Sequence, residues 1–471
     1  MLDPSQSIGP ATRLERGARG IGLSDCELDE KPGERDTAGF SLEKLPSYGR
    51  VLLLQGPVGP FFRRVADLLE ERGAQVTKVN FNTGDDWFYR SGPVIRFPGT
   101  LDQWPAFLQE LIREGDYEAI FLFGDCRPIH CPVGGLARAA GCAVWVFEEG
   151  YFRPDYITLE RDGVNAFSTL ATLDPDQLRA EPLAQIPQAV RFPHAFRRMA
   201  WQAFTYFLVM WLGAWRYPRY VHHKPSGIAE GLRWVRSWLR KMLYRFSEAA
   251  TLREVIGAGR KGRFFVFPLQ VHNDAQLQSH SNSRRVQFCL RQVVKSFAGN
   301  ASKDDWLVIK HHPMDRGHTN YRKFIRRLTL EMGLAGRLHY VHDVHLPTLL
   351  DHCKGLVTVN STAGLQALHH RLPVITFGRS FYNQPGLTYQ GDLDTFWTTA
   401  WKPDHDLYIR FRAWTIARTQ INSSFYADPS CGSARGLARS RPLGTIAGEP
   451  EGSLGPPRHG FQQPVHPIEV V

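Results

Sequence analysis

The sequence predicts an α/β fold made of two Rossmann-like halves with a basic, aromatic helical segment between them. Short apolar runs of strand type alternate with helical patterns over residues 49–190, and the same alternation returns over residues 256–380. Strands that alternate with helices at this spacing form parallel sheets with right-handed crossovers. The intervening residues 191–255 lack the alternation and are rich in Trp, Tyr, Phe and Arg.

Length, charge and cysteine usage narrow the class of protein. The chain has 471 residues, 43% of them hydrophobic, which is enough for two domains with sizeable cores. A formal net charge of +11 predicts anionic partners, such as acidic substrates or an anionic membrane surface. We expect no nucleic acid partner, because no RNP-like motif, zinc-finger spacing or lysine-rich tail is present. Seven scattered cysteines indicate a reducing compartment, and no metal site is expected.

Apolar runs and helical periodicity place the elements of each half. In the first half we expect strands at 51–54, 75–81, 117–123 and 142–147, and helices at 61–72, 104–114 and 132–140. In the second half we expect strands at 263–267, 306–310, 337–342, 355–359 and 373–377, and helices at 284–297, 319–333, 346–353 and 364–371.

The ends of the chain have a different composition from the two halves. Residues 1–48 are polar, charged and glycine-rich, and predict a disordered extension without a signal peptide. Residues 427–471 are rich in Gly and Pro and predict a disordered tail. Residues 381–426 are aromatic and partly helical, and we expect a helical return towards the first half.

The segment between the halves combines cations with aromatic side chains. Residues 191–245 hold eleven Lys or Arg and a single acid, Glu230. The uncharged stretch over residues 199–215 barely reaches the length of a membrane span. We favour amphipathic helices on an anionic leaflet, with Arg233, Arg236 and Arg240 towards the head groups. The alternative is a helical hairpin packed on the protein with a solvated basic face.

A basic cluster ends one strand of the second half. The apolar run from Trp306 stops at Lys310, His311 and His312, and Pro313 prevents its continuation. Ligands bind at the carboxyl ends of strands in open α/β sheets, and this cluster suits an anion such as a nucleotide phosphate. The alternative is a strand that simply ends in polar residues.

Two further strand ends carry polar side chains in the second half. Ser361 and Thr362 precede a helix, where they can cap it or help to bind phosphate. Gln270 and Asp274 follow the first strand of this half. A carboxylate there can be a nucleophile or base in glycosyl transfer, or a simple loop cap.

In the first half, Glu148 and Glu149 are adjacent at a strand end, followed by Gly150. Neighbouring residues of a strand point to opposite faces, so we expect one of the two to face the cleft. Glu149 is our candidate for a general base or acceptor-orienting group. The Gly56-Pro57-x-Gly59 turn lacks the spacing for a nicotinamide cofactor, and no cofactor is expected.

Together these motifs resemble the bacterial capsule polysaccharide biosynthesis proteins of the KpsS/LipB type, over residues 50–426. The resemblance depends on residues 54–62, 78–82 and 147–151 in the first half. In the second half it depends on Gln270-x-x-x-Asp274 after Pro268-Leu269, on His312-Pro313, and on residues 360–364. It implies a GT-B glycosyltransferase that transfers Kdo (3-deoxy-D-manno-oct-2-ulosonic acid) from CMP-Kdo to phosphatidylglycerol or its lyso form. That reaction would start a poly-Kdo linker at the cytoplasmic face of the inner membrane.

The resemblance also implies roles for single residues. Asp274 would be the nucleophile of a retaining β-Kdo transferase. His312, with Pro313, would contact the CMP phosphate, and Gln270, Lys310, Ser361 and Thr362 would complete the donor site. We assign Gly56, Gly59 and Asn82 to the acceptor side. A partner transferase would extend the linker before the capsule export machinery takes it over.

Two other interpretations remain open. One is an inverting CMP-sugar transferase, for example of the sialyl type, with Asp274 or Glu149 as base. The other is a non-catalytic assembly factor for capsule export that keeps a degenerate GT-B fold. The three polar residues Asp274, His312 and Ser361 speak against the second alternative.

Overall fold

Two predominantly parallel sheets organise the chain in a computed structural model that describes residues 40–192, 195–217, 228–270 and 286–426. The strands, numbered along the chain, are β1 Arg50–Leu53, β2 Gln75–Asn80, β3 Val94–Arg96, β4 Ala119–Phe123, β5 Ala143–Glu149, β6 Ile157–Arg161, β7 Phe264–Pro268, β8 Trp306–Lys310, β9 Leu338–Val341, β10 Gly355–Thr358, β11 Val374–Thr376 and β12 Gln420–Ile421. The first sheet has the order β12-β6-β5-β4-β1-β2-β3, and the second has the order β11-β10-β7-β8-β9.

Helices connect most of these strands and cover the sheets. They are α1 Phe61–Glu71, α2 Thr83–Phe88, α3 Trp104–Gly115, α4 Val133–Ala139, α5 Pro175–Ala180, α6 Ala195–Leu212, α7 Ile228–Ser247, α8 Ala249–Val255, α9 Val286–Asn300, α10 Arg322–Glu331, α11 Leu346–Leu350, α12 Ala363–His369, α13 Leu393–Phe396 and α14 His405–Thr419. Local capping fixes several starts, as where the Asp404 carboxylate accepts a hydrogen bond from Leu407 N at the start of α14.

The strand order of both halves is that of a Rossmann fold. In each sheet the first strand of the half is central, with the second and third strands on one side and the fourth and fifth on the other. Strands β1 to β5 and β7 to β11 pair in parallel. The predicted α/β fold with two Rossmann-like halves and a helical segment between them is therefore confirmed.

Apolar side chains on both faces of each sheet explain the continuous hydrophobic runs in the sequence. Along β1, Val51 and Leu53 belong to one core cluster, whereas Leu52 belongs to the cluster on the opposite face. In the second sheet, Val266 and Val308 lie on one face and Phe265 on the other. Strands covered by helices on both sides need apolar residues at every position.

The chain crosses back to the first half after the second sheet is complete. Helix α14 leads to β12, which pairs antiparallel with β6 through Gln420 and Thr158. The Phe425 ring then packs edge-on against Phe61, at 4.8 Å between centroids, and against Phe123, at 5.0 Å. The last described segment is thus part of the core of the first half.

Direct contacts also join the two halves near the ends of their strands. The Tyr151 ring, just after β5, stacks on Phe381 with the centroids 4.1 Å apart. Gln384 Nε2 donates a hydrogen bond of 2.5 Å to the carbonyl of Leu170. Tyr151, Leu170 and Leu178 belong to a core cluster of the second half. The residue boundaries that we assign to the domains stay a prediction.

Part of the predicted N-terminal extension is packed on the first half. Leu42 and Leu45 are buried, and the Arg72 guanidinium donates to both of their carbonyl oxygens. The expectation of disorder up to residue 48 is therefore wrong for residues 40–48, where two leucines anchor a short 3₁₀ turn. The predicted disorder of residues 1–39 and 427–471 falls outside the described residues.

The segment between the halves forms α6, α7 and α8. Helix α6 packs on α2, where the Tyr206 hydroxyl donates to Asp85 and accepts from Asn82. In the described ranges no helix combines the length and apolarity that crossing a bilayer requires. Large apolar side chains are nevertheless exposed along both long helices, up to 78% for Trp215 beyond α6 and 76% for Phe246 in α7.

Gly150 provides a sharp test of packing at the end of β5. A Cβ atom at this position would lie 1.9 Å from the backbone carbonyl oxygen of Tyr156, so the backbone has to move. We expect Gly150→Ala to lower the free energy of unfolding by about 1–3 kcal/mol, measured by urea denaturation.

The matched control for this substitution is Gly134→Ala in α4. A Cβ atom at Gly134 meets nothing within 4 Å. Because alanine favours helix, this change should be neutral or stabilise by up to about 1 kcal/mol. Equal effects of the two substitutions would contradict the close approach at Gly150.

Candidate active site

Three neighbouring strands of the second sheet end in polar side chains at one edge. Strand β7 lies between β8 and β10, so the residues that follow these strands converge there. Gln270, after β7, donates from Nε2 to Asn360 Oδ1, after β10, over 2.6 Å. Gln270 Oε1 is buried and has no hydrogen-bond partner among the residues that the structure describes. This oxygen can therefore accept a hydrogen bond from a ligand.

Lys310 places an ammonium group at the end of β8. Its side chain is buried, and the pKa is lowered to about 8, first by loss of solvent and then by the nearby Arg316 guanidinium. Asp343 and Glu248 offset part of this shift. At neutral pH Lys310 is still mostly charged, and a bound anion would relieve its desolvation.

His312 faces the same edge, but as a neutral side chain. Its Nδ1 accepts a hydrogen bond of 3.2 Å from Met314 N, which caps the 3₁₀ turn that starts at Pro313. Burial and the nearby Lys310 lower its pKa to about 4. Since Nδ1 is the acceptor, Nε2 carries the proton and can donate to a ligand. The positive charge at this edge is therefore carried by Lys310 and not by His312.

His311 has a structural environment. Only 1% of its surface is exposed, and its Nδ1 lies 2.7 Å from the Tyr340 hydroxyl. Burial and the neighbouring His342 lower its pKa to about 4. The ring packs between β8 and β9, and the residue that reaches the edge of the sheet is His312.

Ser361 and Thr362 form the turn that leads into α12. Ser361 Oγ accepts a hydrogen bond of 3.2 Å from Ala363 N, so Ser361 acts as a helix cap. The Tyr382 hydroxyl donates to the Ser361 carbonyl oxygen, and a Cβ atom at Gly364 would collide with that hydroxyl. A buried tyrosine thus holds this turn against the edge of the sheet.

The predicted nucleophile, Asp274, lies outside the described residues, which stop at residue 270 and resume at residue 286. Its assignment stays a prediction, as does the absence of a metal. Within the described ranges there is no group of three or more His, Cys, Asp and Glu side chains that could hold a metal ion.

In the first half, the carboxyl group of Glu148 has a shifted pKa. Burial raises the pKa of Glu148 to about 7, while the Glu149 amide and Arg127 favour its charged form. Glu149 is near the Tyr426 hydroxyl, whose pKa it helps to raise. The role that we predict for Glu149 is untested.

The glycines of the first turn line a small pocket. Its wall contains Gly56, Gly59, Lys78, Tyr89 and Tyr206, and its cavity volume is about 20 Å³. Burial lowers the pKa of Lys78 to about 8. At Gly59, φ is +109° and a Cβ atom would lie 2.3 Å from Gln202 Oε1 in α6. Only glycine allows α6 to approach the turn this closely.

Asn82, our third acceptor-side candidate, has a structural role. Its Oδ1 accepts from Asp85 N as the cap of α2, and its Nδ2 donates to the Tyr206 hydroxyl over 2.7 Å. It is buried beneath α6. A direct contact of Asn82 with an acceptor stays a prediction.

Arg153 reaches the second half from the first. It follows Tyr151, which stacks on Phe381, and its Nε donates to the carbonyl of Gly150 over 3.2 Å. Its charge contributes to the lowered pKa of His312. Arg153 could not be predicted as a site residue from the sequence, because no strand pattern marks a residue that acts on the opposite half.

The three arginines assigned to a membrane surface make contacts within the protein. Arg236 donates to the Gly317 carbonyl, and Arg240 donates to the Arg316 carbonyl over 2.7 Å. Arg233 pairs with Glu230 at 2.9 Å. These contacts hold Arg236 and Arg240 against the loop after β8, and give no support to the head-group assignment, which stays a prediction.

Replacement of Lys310 by methionine tests whether the buried ammonium group lowers the stability of the folded protein. The pKa in the folded protein, about 8, lies below the usual value of 10.5. Below pH 8 the burial of the charged ammonium group therefore lowers the free energy of unfolding. This loss of stability disappears as the pH rises from 8 towards 10.5, because the unfolded chain then also loses the proton. We expect Lys310→Met to raise the free energy of unfolding by about 1–3 kcal/mol at neutral pH, and by less at about pH 9.5.

Urea denaturation at the two pH values measures this difference. Lys295→Met, at an exposed position of α9, is the control and should change little. A Lys310→Met variant that is less stable than the wild type at neutral pH would show that the ammonium group stabilises the fold.

Comparison with known proteins places the chain in a family. Residues 118–426 match the family described as capsule polysaccharide biosynthesis protein. The chain is 41% identical to the capsule polysaccharide export protein KpsS of Escherichia coli, over 82% of this chain and 100% of that protein. It is 42% identical to the capsule polysaccharide modification protein LipB of Neisseria meningitidis serogroup A, over 81% of this chain and 93% of that protein.

Among solved structures, a β-Kdo 2,7 transferase, KpsC of Thermosulfurimonas dismutans, is similar over 71% of this chain and 88% of that chain. The sequence identity is 13% and the TM-score is 0.35, so no residue role is taken from it. The two KpsS and LipB relatives and the matched family agree with the motifs of the sequence. The chain belongs to the capsule polysaccharide biosynthesis proteins of the KpsS/LipB family.

Proposed function

We propose that this protein is a glycosyltransferase that transfers Kdo from CMP-Kdo to a phosphatidylglycerol or lyso-phosphatidylglycerol acceptor. The observation that carries the proposal is the polar edge of the second sheet, where Gln270, Lys310, His312 and Ser361 come together. This edge combines one desolvated ammonium group with a neutral histidine donor and an unpaired amide oxygen.

The chemistry of CMP-Kdo matches these groups one by one. The ammonium group of Lys310 would stabilise the charge that develops on the phosphate as CMP leaves. His312 Nε2–H would donate to a phosphate oxygen, and Arg153 would add a second positive charge from the opposite half. Gln270 Oε1 would accept from an N–H or O–H group of the donor. No cofactor is required in this scheme.

The proposed mechanism retains the configuration of the sugar in two steps. The Asp274 carboxylate attacks the anomeric carbon of Kdo, and the bond to the phosphate oxygen of CMP breaks. The acceptor hydroxyl then attacks the same carbon and displaces Asp274, while a base takes up its proton. Glu148, whose pKa is about 7, is suited to that proton transfer, and Glu149 remains our other candidate.

The near-neutral pKa of Glu148 also supports a second candidate, an inverting CMP-sugar transferase. In that reaction Glu148 would deprotonate the acceptor hydroxyl during a single displacement of CMP, with no intermediate on Asp274. The anomeric configuration of the product, read by NMR, distinguishes the two reactions.

We place the reaction at the cytoplasmic face of the inner membrane, with the protein bound peripherally. The exposed aromatic side chains of α6 and α7 and the basic charge of the segment support this location. A transferase that extends the linker and the capsule export machinery would be its partners. The pocket at Gly56 and Gly59, beside α6, is the proposed acceptor side.

The transfer assay tests the donor, the acceptor and the nucleophile together. With CMP-Kdo and a fluorescent phosphatidylglycerol analogue, we expect a Kdo-lipid product that mass spectrometry identifies. Asp274→Ala should reduce the rate at least about a thousandfold, because the nucleophile is lost. Asp304→Ala, at an exposed loop carboxylate, is the matched control.

Full activity of Asp274→Ala would remove this residue as the nucleophile. A wild-type protein that forms no product, with or without the chain-extending partner, would count against the Kdo transferase and in favour of the assembly factor.

Vesicle flotation tests the membrane location. Trp238 and Leu243 in α7 are 62% and 67% exposed, so their loss should not disturb the core. We expect the double substitution Trp238→Ser and Leu243→Ser to weaken binding to anionic vesicles about tenfold or more, because buried apolar area anchors such helices.

Phe288→Ser is the matched control, because this side chain is 53% exposed on α9 outside the helical segment. It should bind like the wild type. Equal binding of the wild type to neutral and anionic vesicles would contradict the charge-dependent association.

A further inference from the structure

Helix α7 has two opposite faces with different chemistry. One face carries Glu230, Trp234, Ser237 and Tyr244, which contact the second half. The other face carries exposed apolar side chains at the spacing of successive helical turns: Leu232, Val235, Leu239, Met242, Leu243 and Phe246. The two rows lie about two residues apart, which is close to half a turn of an α-helix.

The inner face holds the loop that follows His312. Arg236 and Arg240 donate to the carbonyls of Gly317 and Arg316, as described above. Glu230 Oε1 lies 2.7 Å from His318 Nε2. The fit is close, because a Cβ atom at Gly317 would lie 2.3 Å from the Arg233 carbonyl oxygen. Residues 313–319 therefore depend on α7 for their position.

The same helical segment also fixes the strand next to β8. The Glu248 carboxylate, at the start of α8, accepts hydrogen bonds from His342 N and Asp343 N and lies 2.6 Å from His342 Nδ1. The Tyr244 ring stacks on His342 at 3.9 Å between centroids. Asp343 in turn pairs with Arg316 at 3.0 Å, which closes a network around Lys310.

The outer face fits a negatively charged bilayer better than another protein surface. The helix also carries the exposed cations Lys241 and Arg245, which lie outside the contacts to the loop, and its only acid, Glu230, is paired with Arg233 and His318. Two copies of this face would bring like charges together. Trp238, which is 62% exposed, is a side chain that favours the interface between water and lipid.

We propose that α7 is a membrane-responsive brace: an anionic bilayer bound to its outer face orders loop 313–319 and residues 342–343 beside the donor site. An empty apolar face leaves a helix free to fray, and covering that face makes its ordered state more populated. Because the inner face of α7 contacts loop 313–319, a more ordered helix also stabilises the ordered state of this loop. The expectation that the donor binds more tightly on the membrane rests on the proposed function. The ordering of the loop does not depend on that function.

Hydrogen exchange of the intact protein tests the ordering without donor or acceptor. The probe is a vesicle of phosphatidylcholine with anionic phosphatidylserine, compared with phosphatidylcholine alone. We expect saturating anionic vesicles to slow amide exchange in residues 311–319 and 342–343 about fivefold or more, which corresponds to about 1 kcal/mol of stabilisation. Residues 119–123 of β4 serve as an internal reference.

Two double variants with the same loss of charge separate binding from coupling. Arg236→Gln with Arg240→Gln removes the contacts to the loop. Lys241→Gln with Arg245→Gln removes exposed cations that lie outside these contacts. At saturating vesicles, the first variant should lose the slower exchange and the second should keep it. Circular dichroism and exchange in β4 verify that both variants are folded.

The outcomes decide the proposal. Vesicle binding without slower exchange in the loop overturns the coupling, and so does equal slowing in both double variants. Formation of a dimer through α7 without vesicle binding overturns the bilayer as the occupant of this face. If the ordering is seen but no Kdo is transferred, the brace stands and the proposed function fails.

Discussion

The chemistry of this protein depends on the pairing of β7 with both β8 and β10. Because all three strands run in the same direction, their carboxyl ends meet at one edge, and residues about ninety positions apart in sequence come within hydrogen-bond distance. Without this register Gln270 would not reach Asn360, and Lys310 would not lie at the same edge of the sheet. The pocket of the first half likewise lies at the carboxyl ends of two parallel strands, β1 and β2.

The elements with strong periodicity could be predicted, and those that depend on distant partners could not. The strand over 306–310 and the helices at 61–71 and 104–115 agree closely with the sequence patterns, because their apolar faces are set locally. Strands β3, β6 and β12 are short or lie at or near a sheet edge, so they lack an apolar run of their own. Leu42 and Leu45 looked like part of a polar extension, since two leucines alone give no periodic signal.

In the candidate site, too, residues at strand ends could be predicted from the sequence, whereas properties that depend on distant side chains could not. The sequence placed the donor-side residues at strand ends, and the structure brings Gln270, Lys310, His312 and Ser361 to one edge. The choice between Glu148 and Glu149 depends on which of two adjacent carboxyl groups is desolvated, which is a property of the surrounding side chains. Likewise, the positive charge of Arg236 and Arg240 predicted an anionic partner, but carbonyl oxygens of the neighbouring loop are the partners that the fold supplies.

The return of the chain through β12 makes the two halves interdependent during synthesis. Strand β6 emerges from the ribosome long before residues 420–421 that pair with it, so its outer edge stays open until the second half has been made. The Phe61 and Phe123 rings likewise stay uncovered until Phe425 arrives. The first half therefore completes its packing only after the second half has been made, and its isolated expression would leave an open sheet edge.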